Sequence, residues 1–193
     1  MRELRIVAAV TVLAALSFVA PSAGAAEGGS LGGHLSLGYS HLIVTDSPGG
    51  SLSVGGGIDY PVAPSLRLGV DIGFALLGSR MLEQDAQIAN LDYSLFETSL
   101  KLHWTPAGLG PLGRVSFGPA LVSAKAELAT SGGGLEFTPY AVEEMAPGVG
   151  LDLTLIKTST HAPVRAGVEF GVLAVFLERE TWTIASARLA IHY

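Results

Sequence analysis

Between Leu66 and Leu76 the chain alternates without a break. Leu66, Leu68, Val70, Ile72, Phe74 and Leu76 are large and apolar, and Arg67, Gly69, Asp71, Gly73 and Ala75 lie between them. A period of two places these sets on opposite faces of a strand, one apolar and one polar. The pattern recurs with polar breaks between the repeats. Leu35, Leu37 and Tyr39 oppose His34, Ser36 and Gly38; Leu52, Val54, Ile58 and Tyr60 oppose Ser53, Gly55, Gly57 and Asp59. Phe96, Thr98, Leu100, Leu102 and Trp104 oppose Leu95, Glu97, Ser99, Lys101 and His103. Val115, Phe117 and Leu121 oppose Arg114, Ser116, Gly118 and Ala120, and Val149, Leu151, Leu153 and Leu155 oppose Gly148, Gly150, Asp152 and Thr154. Val164, Ala166, Val168, Phe170 and Val172 oppose Arg165, Gly167, Glu169 and Gly171, and a last strand runs from about Thr181 to Tyr193. The fold class is therefore all-β, with eight antiparallel strands.

Composition decides what surrounds those strands. Mean hydropathy is +0.47 and only 15% of residues are charged, against about 25% in soluble domains. Beyond residue 25 there is still no apolar run of 18 residues, so helical spans are excluded. A chain apolar overall but nowhere in one long run fits an eight-stranded transmembrane barrel, whose even strand count leaves no unpaired edge in lipid. A soluble ligand-binding barrel has the same alternation with its faces exchanged. The polar face here is mostly Gly, Ser and Ala, which suits a crowded interior better than a water-facing wall. Tyr60, Trp104 and Tyr193 at one end of the apolar face, with Tyr39, Phe74 and Phe176 at the other, read as two interfacial girdles.

At the N-terminus Arg2 and Arg5 precede the apolar run 6–20, then Pro21 and the small-residue site Ala23-Gly24-Ala25. The run is shorter than the roughly 20 residues needed to span a bilayer, so 1–25 is expected to be a cleaved signal peptide and 26–193 the barrel domain. Absence of Cys excludes disulfides, thiolate metal sites and a lipoprotein anchor. With both barrel termini in the periplasm, the breaks at 43–50, 77–91, 125–144 and 176–180 face outward. A short helix is expected around Met81 to Ala89, and an outer hairpin at 123–130 and 135–142, turning on Gly132-Gly133-Gly134.

Strand count, turn placement and the ending Leu189, Ile191, Tyr193 resemble the small outer-membrane family of the OmpA barrel and the opacity-type adhesins, over essentially all of 26–193. The resemblance implies a multi-pass barrel in the outer membrane of a Gram-negative bacterium. It also implies that Leu189, Ile191 and Tyr193 form the terminal signal read by the barrel assembly machinery. It carries no catalytic motif, and the fold hosts anchors, adhesins, enzymes and pores alike. Pro119 and Pro147 depart from the pattern inside strands, so a bulge or a displaced strand boundary is expected at each. Trp182 has the wrong parity for lipid and is placed on the outer rim.

The charged residues sort by face. Arg67, Lys101, Arg114, Arg165 and Arg188 fall on the inner face, opposed by Asp59, Asp71, Glu97, Asp152 and Glu169. A lumen of eight strands is just filled by side chains, and ions there must be paired. Equal numbers of each sign imply a self-neutralising plug, whereas a selective pore would show one sign in excess. The chain's net charge is −6, and the negative surplus sits in or beside the loops, where Asp46, Glu83, Asp85, Asp92, Glu127, Glu136, Glu143, Glu144, Glu178 and Glu180 stand against Arg80, Lys125 and Arg179. That sign disfavours nucleic acid and allows contact with lipopolysaccharide through divalent cations, or with basic partners. Solvated loops that serve solubility alone are the simpler reading.

Catalysis is not expected. His34, His103 and His192 lie on the inner face and His161 in a turn, leaving only Ser40-His41 near the outer leaflet. That pair lacks an identified orienting acid. No calcium-loop or phosphate-loop pattern occurs, so no cofactor or metal is expected. The reading is a monomeric structural or surface-interaction barrel embedded in outer-membrane lipid. Its alternatives are a lipid-modifying enzyme of the lipid A acyl hydrolase type using His41, and a narrow gated pore.

Overall fold

The computed structural model describes residues 30–44, 48–84, 87–106, 113–129, 142–157 and 164–193. The expected signal peptide 1–25, the expected turn at 132–134 and His161 lie outside them. Eight strands form: β1 (Gly32–Ile43), β2 (Gly50–Ala63), β3 (Leu66–Gln84), β4 (Gln87–Trp104), β5 (Gly113–Ala129), β6 (Val142–Lys157), β7 (Arg165–Phe176) and β8 (Thr181–His192). Each pairs antiparallel with the next, and β8 returns to β1 to close the barrel. Closure leaves every strand with two neighbours, which satisfies the backbone donors and acceptors that an open sheet would expose. The registers followed once round return to β1 about 10 residues further on, the stagger that tilts strands in a closed sheet.

The closing seam is tightest at its end. Gly33 and Tyr193 exchange backbone hydrogen bonds of 3.1 and 3.0 Å. The Tyr193 ring covers Gly33 so closely that an added Cβ would stand 2.5 Å from the ring. Glycine is needed there because the aromatic takes the space a side chain would use.

The two faces separate as alternation requires. Leu37, Tyr39, Leu52, Tyr60, Val70, Leu100, Trp104, Phe117, Leu151, Phe170, Leu189 and Ile191 are exposed on the outward wall, and most charged residues of the intervening positions are buried inside. The barrel is uneven at the end away from its termini. β1 spans 12 residues and β3 spans 19, so the β3–β6 side rises beyond the level where β1, β2, β7 and β8 stop.

That extension replaces the expected helix around Met81 to Ala89. Met81 pairs with Asn90, Leu82 with Ala89 and Gln84 with Gln87, so the strand pairing continues through this stretch. Continued pairing satisfies these backbone groups through a neighbour already in place, whereas a helix would have to abandon it. The register shifts once between Leu76 and Gly78. Gly78 has φ 90° and lies against the carbonyl of Pro48, where an added Cβ would approach to 2.6 Å. The expected outer hairpin begins as a continuation of β5, with Ser123 opposite Met145 and Ala126 opposite Val142; its second arm, 135–141, is outside the described residues.

Neither proline produces a bulge or a strand end. Pro119 faces Val149 and Pro147 faces Leu121 in an unshifted β5–β6 register. On its other side Pro119 leaves a gap in the β4–β5 ladder, which skips from Ser99–Ala120 to Leu102–Phe117. Gly118 allows the strands to close up across that gap, since an added Cβ would meet the Leu100 carbonyl at 1.9 Å. Pro147 falls just outside the β6–β7 ladder, which starts at Gly148. Its missing N–H therefore costs no bond to β7.

Trp182 is not on the rim. It is 5% exposed and points into the barrel, whereas Trp104 is 46% exposed on the outside. In vesicles of brominated lipid, Trp182→Phe protein, whose remaining indole is Trp104, is expected to be strongly quenched. Trp104→Phe protein is expected to be quenched weakly. Equal quenching would show that the inward and outward faces are misassigned.

Candidate functional site

The site is the lumen, assembled by inward positions of all eight strands. Towards the end that holds the termini, the packing is ionic. Lys101 on β4 reaches Asp152 on β6 at 2.7 Å, Asp71 on β3 at 3.5 Å and Glu97 at 3.7 Å. Arg188 on β8 lies 2.5 Å from Glu169 and 3.2 Å from Asp152. Asp59 on β2 takes both Arg67, in close contact, and Arg114 at 3.3 Å. Arg67 also donates to the Ser30 carbonyl at 2.8 Å, tying the segment before β1 to the wall. Lys101, Arg114, Asp59, Asp71, Asp152 and Glu169 are all buried. Such charges persist in a dry interior only with partners this close.

Inner-wall glycines make room for these side chains. An added Cβ at Gly57 would stand 2.0 Å from Asp71 Oδ1, and one at Gly171 would stand 2.3 Å from Asp152 Oδ1. Gly69 likewise seats the His103 ring, with an added Cβ at 2.4 Å from its Nε2. The Gly55-Gly56-Gly57 run is thus part of the wall against which the ions pack.

Three histidines complete this layer. His34 stacks on His192 with ring centroids 5.6 Å apart and meets His103 edge-on at 6.3 Å. His103 Nδ1 is 2.7 Å from Ser116 Oγ. His34 Nε2 and His103 Nε2 both stand 3.9 Å from Asp71. Arg165 does not join the network. It lies at the first residue of β7, exposed at the mouth, and none of the ion pairs among the described residues includes it.

Sequence reasoning missed a second layer. Towards the other end the lumen is filled by Leu42, Leu77, Val122 and Val175, none with any exposed surface, and by Leu95, Leu173, Trp182 and Ile184. Tyr93 meets Trp182 edge-on at 5.7 Å, and the indole Nε1 donates to Glu180 at 2.6 Å. The signal was in the sequence, where alternation fails: Leu76-Leu77, Leu121-Val122 and the run 172–176 are apolar at both parities. Strands apolar on both faces are enclosed on both. Between the layers a cavity of about 30 Å³ borders Ser40, Ser53, Glu97, Lys101 and Asp152, space for about one water.

Ser40 and His41 cannot act together. Ser40 is 3% exposed inside the lumen, while His41 faces outward and stacks on Tyr39 with centroids 6.5 Å apart. Neighbouring strand residues point to opposite faces, so the barrel wall separates a nucleophile from its base. No group of His, Asp and Glu among the described residues is arranged to hold a metal ion.

Leu189, Ile191 and Tyr193 are exposed on the outward wall, where Leu189 pairs with Leu37 and Val168 across the two flanking strands. The network's tight packing sets two expectations. Arg188→Met removes a cation held by Glu169 and Asp152 and should cost about 3–5 kcal/mol, the range for breaking a buried pair. Gly57→Ala forces Asp71 from its seat and should cost about 1–3 kcal/mol, as overpacking does. Urea unfolding in detergent measures both, and values near zero for both would mean that the ions contribute nothing to the fold.

No family model and no curated protein matches the chain. Solved structures do. Ail of Yersinia pestis, in complex with the heparin analogue sucrose octasulfate, matches with a TM-score of 0.60 at 9% identity, over 86% of this chain and 99% of that one. Ail crystallised alone matches with a TM-score of 0.58 at 9% identity, over 84% and 98%. A major outer-membrane protein of Thermus thermophilus matches with a TM-score of 0.60 at 11% identity, over 86% and 99%. At such identities the likeness is one of fold, and the chain has the fold of the small eight-stranded outer-membrane barrels.

Proposed function

We propose that this protein is an integral outer-membrane barrel of a Gram-negative bacterium with a structural or surface-interaction role, and that it does not conduct. The observation that carries this reading is a lumen filled in two layers, ionic and apolar, inside a wall whose outward face is apolar. A polar lumen alone is compatible with a gated pore, but a stopper of Leu42, Leu77, Val122, Val175 and Trp182 has no polar path for an ion to follow. The termini lie in the periplasm and the raised β3–β6 side faces the exterior. Leu189, Ile191 and Tyr193 present the signal for the barrel assembly machinery, 1–25 is the exported leader, and the barrel is monomeric.

The exterior end carries Glu143, Glu144, Glu178 and Glu180, with the Glu178 amide donating to Glu144 at 2.7 Å. Ail was crystallised with a polyanion. An acidic rim suits the opposite charge: basic partners, or divalent cations that bridge to lipopolysaccharide phosphates. The enzymatic reading loses its one candidate pair, since Ser40 and His41 sit on opposite faces.

Planar bilayer recording tests the proposal. Purified protein that shows a heat-dependent gel shift, the mark of a closed barrel in detergent, should leave the membrane silent at about 100 mV under the physical argument above. Steady unitary currents from such a preparation would replace the structural reading with the pore.

A further inference from the structure

The ionic layer holds one of its carboxylates loosely. Asp59 takes Arg67 and Arg114, so Asp71, Glu97, Asp152 and Glu169 draw on Lys101 and Arg188. Of these four, Glu97 has the longest contact, 3.7 Å from its Oε1 to Lys101, against 2.7 Å for Asp152 and 2.5 Å for Glu169. Its Oε1 is buried with no hydrogen-bond partner. A carboxylate oxygen enclosed without a donor is costly.

Two other orphaned atoms belong to the same place. Ser53 Oγ and Arg188 Nε are also buried without a partner, and Ser53, Glu97 and Arg188 all line the cavity of about 30 Å³ between the two layers. Ser53 is 2% exposed. The three side chains rise from β2, β4 and β8, no two of which are neighbours in the barrel. We infer that this cavity is a binding site for one water molecule, which pins β2, β4 and β8 together across the lumen. The donor set selects water. Arg188 Nε can only donate and a carboxylate only accept, while Ser53 can do either, so the occupant must accept and donate at once. A metal ion is repelled by Lys101 and Arg188, and an anion by Glu97 and Asp152, all of which line the cavity. The volume admits nothing much larger than water. Water accepts from Arg188, donates to Glu97 and finds a third partner in Ser53, within the range of about two to four that buried waters make. Glu97 is thus held by hydration where its nearest cation stands back.

Gly150 provides the test. It lines the cavity from β6, and an added Cβ would meet Lys101 Cε at 3.7 Å and Leu173 Cδ1 at 3.8 Å, both ordinary contacts. Gly150→Ala puts a methyl group into the water's space, and Gly150→Ser puts a hydroxyl there instead. Both lose the freedom of glycine equally, so the comparison isolates polarity. In urea unfolding in detergent, the serine variant should have an unfolding constant about tenfold below that of the alanine variant, the factor for one hydrogen bond to a charged group. An alanine variant as stable as the serine variant, or more stable, overturns the proposal, because a dry cavity gains from a methyl group and loses from a hydroxyl. High-resolution crystals of the unaltered protein provide a direct reading. One ordered water should lie within hydrogen-bond reach, about 2.5–3.2 Å, of Glu97, Ser53 and Arg188. No density between well-ordered neighbours, or xenon entering the cavity under pressure, would show it dry and end the idea. These outcomes bear on the lumen alone and leave the assignment to the outer membrane untouched.

Discussion

A closed barrel of eight strands has an interior only wide enough for side chains, and everything inside it must find a partner inside it. That constraint governs the rest of the structure. The wall satisfies its own backbone by pairing all the way round, so no strand edge is left unpaired. Most of the charged side chains inside are shut off from solvent and form pairs across the lumen, from Lys101 to Asp152 and from Arg188 to Glu169. Pairs that short need backbone with no Cβ opposite them, which is the role of Gly57 and Gly171.

The two layers of the lumen divide labour by position. The ionic layer lies near the termini, where Arg67 and Arg114 hold Asp59 close to the mouth. The apolar layer lies towards the raised side, and its Trp182 is anchored by a hydrogen bond to Glu180 at the turn. An apolar stopper excludes water without needing partners, whereas the ionic layer is rigid only while its charges stay matched.

Most of the architecture was legible in the sequence because a period of two gives each strand one apolar and one polar face. Which face turned outward followed from Gly, Ser and Ala at the inner positions. The raised β3–β4 hairpin was not legible. The polar stretch Met81 to Ala89 has no strong alternation, and only the neighbouring strand makes extended pairing the better state for it. Pro119 and Pro147 read as breaks because proline cannot donate to a ladder; the register absorbs them through a skipped pair and a position outside the β6–β7 ladder. Arg165 has the right parity for the network, but parity carries no height, and its place at the start of β7 puts it at the mouth.

By itself the sequence determined the strand count, the facing of each strand and the sorting of charges to the inner wall, because alternation is local and survives without knowledge of neighbours. Tertiary structure alone decided which carboxylate meets which cation, since partners such as Lys101 and Asp152 lie 51 residues apart and meet only through the stagger of the closed sheet. It also decided that Leu42, Leu77, Val122 and Val175 converge into one stopper, because their heights depend on strand tilt and not on parity. Ser40 and His41, adjacent in the chain, end on opposite sides of the wall for the same reason that the barrel forms at all: successive side chains of a strand point apart.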